Sequence, residues 1–222
     1  MKIIETGFVG LLIIELDVYR DGRGYFCETF NLEKFREMGL PYEFVQDNQS
    51  YSKQNVIRGL HYQVEPYEQG KLVRVSRGRI IDVAVDIRKD SKTYRQHFKC
   101  ELSEDNFRVL WIPPGFAHGF GVLSDDAIVH YKCTMPYSKE HERVIRWDES
   151  ELGIEWGIEE PVVSEKDGTR TTRIGRMTTD KKSFIHGLGE DGTRATRIGR
   201  MTTDKKSFIH GFGGRWNTDD TD

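Results

Sequence analysis

Two short stretches of this sequence hold histidines in settings where an imidazole could do chemistry. The first, Arg58-Gly59-Leu60-His61-Tyr62-Gln63, is a glycine-flanked run entering a strand. His61 could serve there as a base, as a metal ligand or as a satisfied core side chain. The second is Pro113-Pro114-Gly115-Phe116-Ala117-His118-Gly119, where a Pro-Gly turn sets His118 at the start of the next strand. Tyr131 lies in the period-two stretch Ala127–Cys133 and shares a face with Val129 and Cys133. An ordinary core aromatic would sit the same way, so a proton-donor role needs more than spacing. The charged groups Arg23, Glu28, Asp47, Arg58, Glu142 and Lys166, taken singly, read as solvated surface residues.

The segments that would carry these groups read mostly as β structure. Ile3–Ile4 and Leu11–Glu15 have the composition of early strands, and Asp21-Gly22-Arg23-Gly24 is a turn leading into the aromatic run Tyr25–Phe30. Asn31 is placed to cap a short helix over Leu32–Met38, which Gly39 and Pro41 end. Tyr42–Asp47 reads as extended. Lys71–Ser76 and Arg79–Ile87 alternate on either side of Arg77-Gly78 and predict a hairpin. Further strands are predicted at His97–Leu102, Phe107–Ile112, Phe120–Leu123 and Ala127–Cys133. Short strands with turn signals every ten or so residues predict a sandwich or barrel.

Composition narrows the function classes. The chain has 222 residues, with 31% charged and 36% hydrophobic, enough for one domain with a sizeable core. No apolar run nears the roughly 18 residues of a membrane span. The N-terminus lacks the regions of a secretory signal, so a cytoplasmic protein without membrane contact is expected. Cys27, Cys100 and Cys133 are widely spaced and contain no Cys-x-x-Cys pair, which predicts reduced structural thiols. Residues 1–167 hold 22 Lys/Arg against 29 Asp/Glu, whereas 168–222 hold 11 against 7. An acidic body argues against nucleic acid, so an anionic ligand would be met by a few placed cations.

The end of the chain is a tandem duplication. Asp167–Gly187 recurs as Asp191–Gly211 at an offset of 24, and only Thr171 against Ala195 differs. Two copies are fewer than a self-supporting solenoid needs, and each is poor in large apolar side chains. A folded domain at 1–167 followed by a loosely held tail at 168–222 is expected.

The stretch ending in His118 resembles the second motif of the cupin superfamily, Pro-x-Gly-x-x-His, and the segment from His61 to Gly70-Lys71 stands where the first motif would be. Metal cupins use a His-x-His pair, and here Gln63 takes the second place. Two His fall short of the three or four protein ligands usual for Zn or Fe, so a metal-free site with no cofactor is expected.

A longer series of motifs is more specific. Asp21-x-Arg23-Gly24-x-Phe26-x-Glu28-Thr29-Phe30, Phe44-Val45-Gln46-Asp47-Asn48, Arg58-Gly59-Leu60-His61 and Gln69-Gly70-Lys71-Leu72-Val73-Arg74-Val75 follow one another in order. Asp82–Asp86, Ile112–Phe120, Tyr131–Thr134, His141-Glu142-Arg143, Ile145–Asp148 and Ser164-Glu165-Lys166-Asp167 continue it. Together they resemble the dTDP-4-dehydrorhamnose 3,5-epimerase family, nearly colinearly over residues 1–167.

The resemblance implies a mostly β cupin jelly roll with a few short helices. It also implies a homodimer whose N-terminal segment serves the partner's site, and a dTDP-4-keto-6-deoxyhexose substrate inverted at C3 and C5. It implies His61 as the base, Tyr131 as the acid, Asp167 as the partner that orients His61, and Lys71 beside the C4 oxygen. Arg23 and Arg58 match diphosphate contacts. Glu28 and Gln46-Asp47-Asn48 match nucleotide contacts, and His118, Glu142 and Lys166 match further substrate contacts. The loop Val64-Glu65-Pro66-Tyr67-Glu68 departs from the family's usual Pro-Pro-His-Ala. A C3-only epimerase and a catalytically silent sugar-nucleotide-binding cupin are the alternative readings.

Overall fold

The computed structural model describes residues 1–41 and 43–168. The chain divides into two units, Met1–Thr178 and Thr179–Asp222. The second unit lies outside the described residues, as does nearly all of the duplicated segment, including its expected loose attachment.

The described residues form a β-sandwich, as expected. In chain order the strands are β1 Lys2–Glu5, β2 Leu12–Glu15, β3 Val18–Asp21, β4 Gly24–Cys27, β5 Gln46–Lys53, β6 Ile57–Gln63 and β7 Lys71–Arg77. Then come β8 Arg79–Asp86, β9 His97–Ser103, β10 Arg108–Ile112, β11 Phe116–Val122, β12 Asp126–Cys133 and β13 Glu142–Val144. Two short helices, α1 Leu32–Glu37 and α2 Glu165–Gly168, complete the set. The first sheet runs β1-β2-β10-β7-β12-β5, the second β13-β6-β11-β8-β9, and β3 pairs with β4 alone. The pairings between named strands are antiparallel.

Period-two alternation explains how both sheets are covered on two faces. Val73 and Val75 of β7 and Val129 of β12 point between the sheets, against Ile80, Ala84, Phe116 and Phe120 of the second sheet. Leu72, Val109 and Trp111 point the other way, onto Phe35 and Leu40. Ile57, Leu60, Val83 and Val85 leave the second sheet on its far side, where Ile145, Leu152 and Trp156 cover them. Helix α1 is too short to hold alone. Asn31 Oδ1 caps it by accepting from Lys34 N at 3.1 Å, and burial of Phe35 docks it, contributing about 1.5–3 kcal/mol.

The structure departs from the expected hairpin. Strands β7 and β8 do not pair with each other but lie in different sheets, and the chain crosses between them at Gly78. Gly78 has φ +76°, and a Cβ there would run into Asp126 O of the neighbouring strand. Alternation identifies a strand but not its partner, so the corner reads from sequence like a hairpin turn. Two extended segments also end differently. β4 stops at Cys27 and leaves Tyr25 and Phe26 exposed, and β5 starts only at Gln46 but runs on to Lys53.

Candidate active site

The two sheets enclose a cleft that receives side chains from both. One lobe, about 260 Å³, is lined by Arg58, His61, Lys71, His118, Tyr131, Lys166 and Asp167 among others. A second lobe of about 240 Å³ shares His61, Lys71, Tyr131 and Lys166 and adds Gln46, Tyr137 and Glu142. His61 and His118 come from adjacent strands β6 and β11 of the second sheet, where they are direct cross-strand partners. Lys71 and Tyr131 come from β7 and β12 of the first sheet.

An irregularity in β6 sets the reach of this constellation. The β6–β11 register shifts between His118 and Phe120, so Arg58 and His61 both line the cleft although they are three residues apart. A regular strand would send them to opposite faces. Gly59 makes the shift feasible. Its φ is +112°, and a Cβ would lie 2.5 Å from Gly119 Cα.

His61 is held by a carboxylate. Its Nε2 lies 2.5 Å from Asp167 Oδ1, while Asp167 Oδ2 accepts from Ser164 Oγ at 2.9 Å. Asp167 is 4% exposed. Burial alone would raise its pKa, but the hydrogen bond and charge of His61, with Ser164 behind them, hold the carboxyl below its ordinary value. An ionised Asp167 accepts the Nε2 hydrogen, which leaves the Nδ1 lone pair available as a base. Nδ1 faces Glu142 Oε1 at 3.9 Å. Glu142 is tied to Lys166 Nζ at 2.6 Å and accepts from Tyr137 OH at 2.8 Å. Burial works to raise the Glu142 pKa, and these two partners bring it below normal.

Across the cleft, burial pushes the Tyr131 phenol pKa up, with Cys133 adding to the effect, so the group stays protonated and able to donate. Burial pulls the Lys71 ammonium below its ordinary range, opposed by Cys133, Asp82 and Glu142. His118 directs Nε2 at Asp82, 2.9 and 3.0 Å from the two carboxylate oxygens. Gln63 is committed to structure: its amide donates to Tyr67 O and Pro136 O and accepts from Ser138 N. Among the described residues no three His, Cys, Asp or Glu side chains gather as metal ligands.

The structure thus brings His61, Lys71, Tyr131, Asp167, Arg58, His118, Gln46, Glu142 and Lys166 to one cleft. Asn48 stands at its edge, accepting from Gln46 Nε2 at 2.9 Å and reaching Tyr131 O at 3.4 Å. Asp47 is not brought there. Strand alternation turns it to the opposite face of β5, where it pairs with Lys132 at 2.7 Å. Arg23 and Glu28 also lie apart within the chain. Arg23 is bound to Asp21 at the tip of the β3–β4 hairpin, and Glu28 to Lys34.

The structure also brings Tyr137, Ser50 and Asp82 to the site, three residues to which the motifs and spacing assign no role. Ser50 shares a face with Gln46 and Asn48 on β5, and its buried hydroxyl, on the cleft wall, has no hydrogen-bond partner among the described residues. The alternation Gln46, Asn48, Ser50 was the available signal.

A family model described as dTDP-4-dehydrorhamnose 3,5-epimerase matches residues 5–173. The chain is 53% identical over 169 residues to the dTDP-4-dehydrorhamnose 3,5-epimerase of Methanothermobacter thermautotrophicus, covering 75% of this chain and 91% of that one. A crystal structure of dTDP-6-deoxy-D-glucose-3,5-epimerase from Legionella pneumophila in complex with dTDP-4-keto-L-rhamnose is 47% identical. It superposes with a TM-score of 0.72 over 75% of this chain and 89% of that one. A 3'-monoepimerase from Streptomyces bikiniensis in complex with dTDP-quinovose is more distant, at 30% identity and a TM-score of 0.69 over 72% and 82%.

Proposed function

Because the chain belongs to the dTDP-4-dehydrorhamnose 3,5-epimerase family, we propose that its reaction runs between His61 and Tyr131, on opposite sides of the cleft. The chain is an isomerase that inverts C3 and C5 of dTDP-4-dehydro-6-deoxy-D-glucose, giving dTDP-4-dehydro-L-rhamnose.

The C4 carbonyl acidifies the hydrogens at C3 and C5. His61 Nδ1 removes one of them, the C–H electrons form a C=C bond, and the carbonyl π electrons move onto O4. Asp167 stabilises the imidazolium that results. Lys71 balances the enolate oxygen, an electrostatic role that grows as charge develops. Tyr131 then delivers its phenolic proton to the opposite face of the same carbon, and solvent returns both groups to their starting states. No step calls for a metal or cofactor. Arg58 supplies a guanidinium for the diphosphate, with Gln46, Asn48, His118, Glu142 and Lys166 as further substrate contacts.

The observation that carries this reading is the 2.5 Å His61–Asp167 contact in a cleft whose other wall presents Tyr131 and Lys71. We further assign residues 1–167 to the catalytic domain and 168–222 to an appended tail. The working form in this reading is a homodimer in which Arg23 and Glu28 serve the partner's cleft. The exposed Tyr19, Tyr25 and Phe26 of the β3–β4 hairpin support that assignment, since a second copy would cover them. A nucleotide-sugar substrate and three free thiols accord with a cytoplasmic location. Among the described residues no helix is long and apolar enough to cross a membrane.

Incubation with dTDP-4-keto-6-deoxyglucose in deuterated water, followed by NMR, tests the assignment. Wild type should incorporate deuterium at C3 and C5, and His61→Ala should lose exchange at both. Exchange at either carbon at near wild-type rate in His61→Ala would refute the base assignment. Deuterium at C3 alone in wild type would favour the second reading, a C3-only epimerase, for which the likeness to the 3'-monoepimerase speaks.

A further inference from the structure

The cleft contains a second imidazole–carboxylate pair, and the proton transfer between His61 and Tyr131 does not use it. Asp82 lies in the middle of β8, facing between the sheets beside Ile80 and Ala84. It is fully buried, at 0% exposure, and the hydrogen-bond partner the structure gives its carboxylate is His118 Nε2, close to both oxygens. His118 is 7% exposed, lines the cleft, and is the direct cross-strand partner of His61.

A carboxylate sunk in an apolar core is costly unless a positive charge matches it, and an amide or an aliphatic side chain would fill that space without the cost. With both Asp82 oxygens on Nε2, the imidazole is held in one orientation. Nε2 carries its hydrogen and Nδ1 remains for the cleft. Titratable groups face this pair from the neighbouring strands. Lys71 reaches in from β7, His61 flanks His118 on β6, and the Cys100 thiol faces Asp82 from β9.

We propose that Asp82 is a positioning residue for the epimerisation, holding His118 as an imidazolium so that the enolate oxygen meets two cations, Lys71 and His118. The proposal rests on the reading of Lys71 as the enolate's partner. It explains why a carboxylate occupies a fully buried position on β8, an interior strand of its sheet. It also removes a weakness of a single-cation site. Burial draws Lys71 toward its neutral form, and Asp82 is among the anions that oppose this. Asp82 therefore supports both cations at once. A cation that contributes only when charge appears on O4 lowers the barrier without tightening the ground state.

The test begins with the wild-type protein. Nitrogen-15 NMR of the ring-labelled enzyme at neutral pH should show His118 with both nitrogens protonated, assigned by the signal lost in His118→Asn. A neutral His118 overturns the proposal, whatever the variants do. In Asp82→Asn the imidazolium signature should disappear. There kcat should fall by about 10²-fold, the scale of one lost oxyanion donor, while KM changes little. Asp82→Asn and His118→Asn should be non-additive, the double variant being no slower than the slower single one. A folded Asp82→Asn with wild-type kcat, or strictly multiplicative effects, would count against the pair. If His61→Ala retained exchange, the base assignment would fall instead, and the His118 signature would still decide this proposal by itself.

Discussion

Replacing Asp167 by Asn isolates the electrostatic part of the His61 dyad. The change keeps size and shape, so Ser164 retains a partner and His61 stays in its place. What is lost is a full negative charge beside the imidazolium formed when a carbon proton is taken. The contact is 2.5 Å between Nε2 and Oδ1, and the side chains are 28% and 5% exposed. Their delocalised charges are centred further apart than those atoms. Unit charges about 4 Å apart at an effective dielectric near 20 attract by about 4 kcal/mol. The partial exposure of His61 and the residual dipole of the amide reduce this to about 3 kcal/mol. At about 1.4 kcal/mol per decade, turnover should fall by roughly 10²- to 10³-fold. In the proposed mechanism the imidazolium forms as the carbon proton is taken, so the loss should appear in kcat and leave KM nearly unchanged. The assay is initial-rate deuterium incorporation at C3 and C5 over a range of substrate concentrations. A folded Asp167→Asn enzyme turning over within about tenfold of wild type would mean that the carboxylate contributes less than about 1.4 kcal/mol, and the dyad argument would fail.

Tyr131→Phe keeps the packing and removes the proton donor, so turnover should drop by roughly 10²- to 10⁴-fold; normal turnover would make Tyr131 an ordinary core aromatic. Asp86 is a structural counterpart, since Arg88, Ser91 and Thr93 overcome the effect of burial and hold its carboxyl at about 2 instead of 3.8. A depressed carboxyl pKa stabilises the fold above the unfolded value. Asp86→Asn should therefore cost about 1–2 kcal/mol near neutral pH, allowing for the partial exposure of Arg88, and the gap in denaturation midpoints should close as pH falls from about 4 toward 2. Truncation after Gly189, or Asp191→Asn, should leave folding and exchange rates near wild type. An inactive truncated protein, or greater damage from Asp191→Asn than from Asp167→Asn, would place the second repeat in the catalytic unit.

What the sequence disclosed follows what each signal encodes. Alternation in Lys71–Ser76, Arg79–Ile87 and Ala127–Cys133 reported strands correctly because a half-buried pleat imposes period two. The same signal is silent about pairing, and so the β7–β8 corner at Gly78 passed for a hairpin. The motif series placed His61, Lys71, Tyr131 and Asp167 in one site although more than a hundred residues separate the dyad partners, a distance that spacing cannot bridge. Motifs also group neighbours indiscriminately. Gln46-Asp47-Asn48 reads as one binding unit, yet the strand divides it, Gln46 and Asn48 turning toward the cleft and Asp47 away. Asp82 was hidden for the opposite reason. Within Ile80–Asp86 it reads as part of a buried strand, and only the register with β11 shows that its carboxylate meets an imidazole.

The architecture also bears on why the chemistry takes this form. Inverting a carbon through an enolate requires that the proton leave from one face of the sugar ring and return to the other. A single strand or helix presents its functional groups to one side, so a base and an acid on the same element would tend to restore the starting configuration. On the proposed reading the base, His61, stands on β6 of one sheet and the acid, Tyr131, on β12 of the other, with the substrate held in the gap that both side chains line. On the same reading the enolate oxygen is balanced from both walls of the gap, by Lys71 from one sheet and by His118, backed by Asp82, from the other. Burial there strengthens every charge interaction with the oxygen, and for the same reason it demands that each cation have its anion. On this argument the carboxylates Asp167 and Asp82 answer one requirement: each is a buried anion that holds a cleft-lining imidazole by its Nε2.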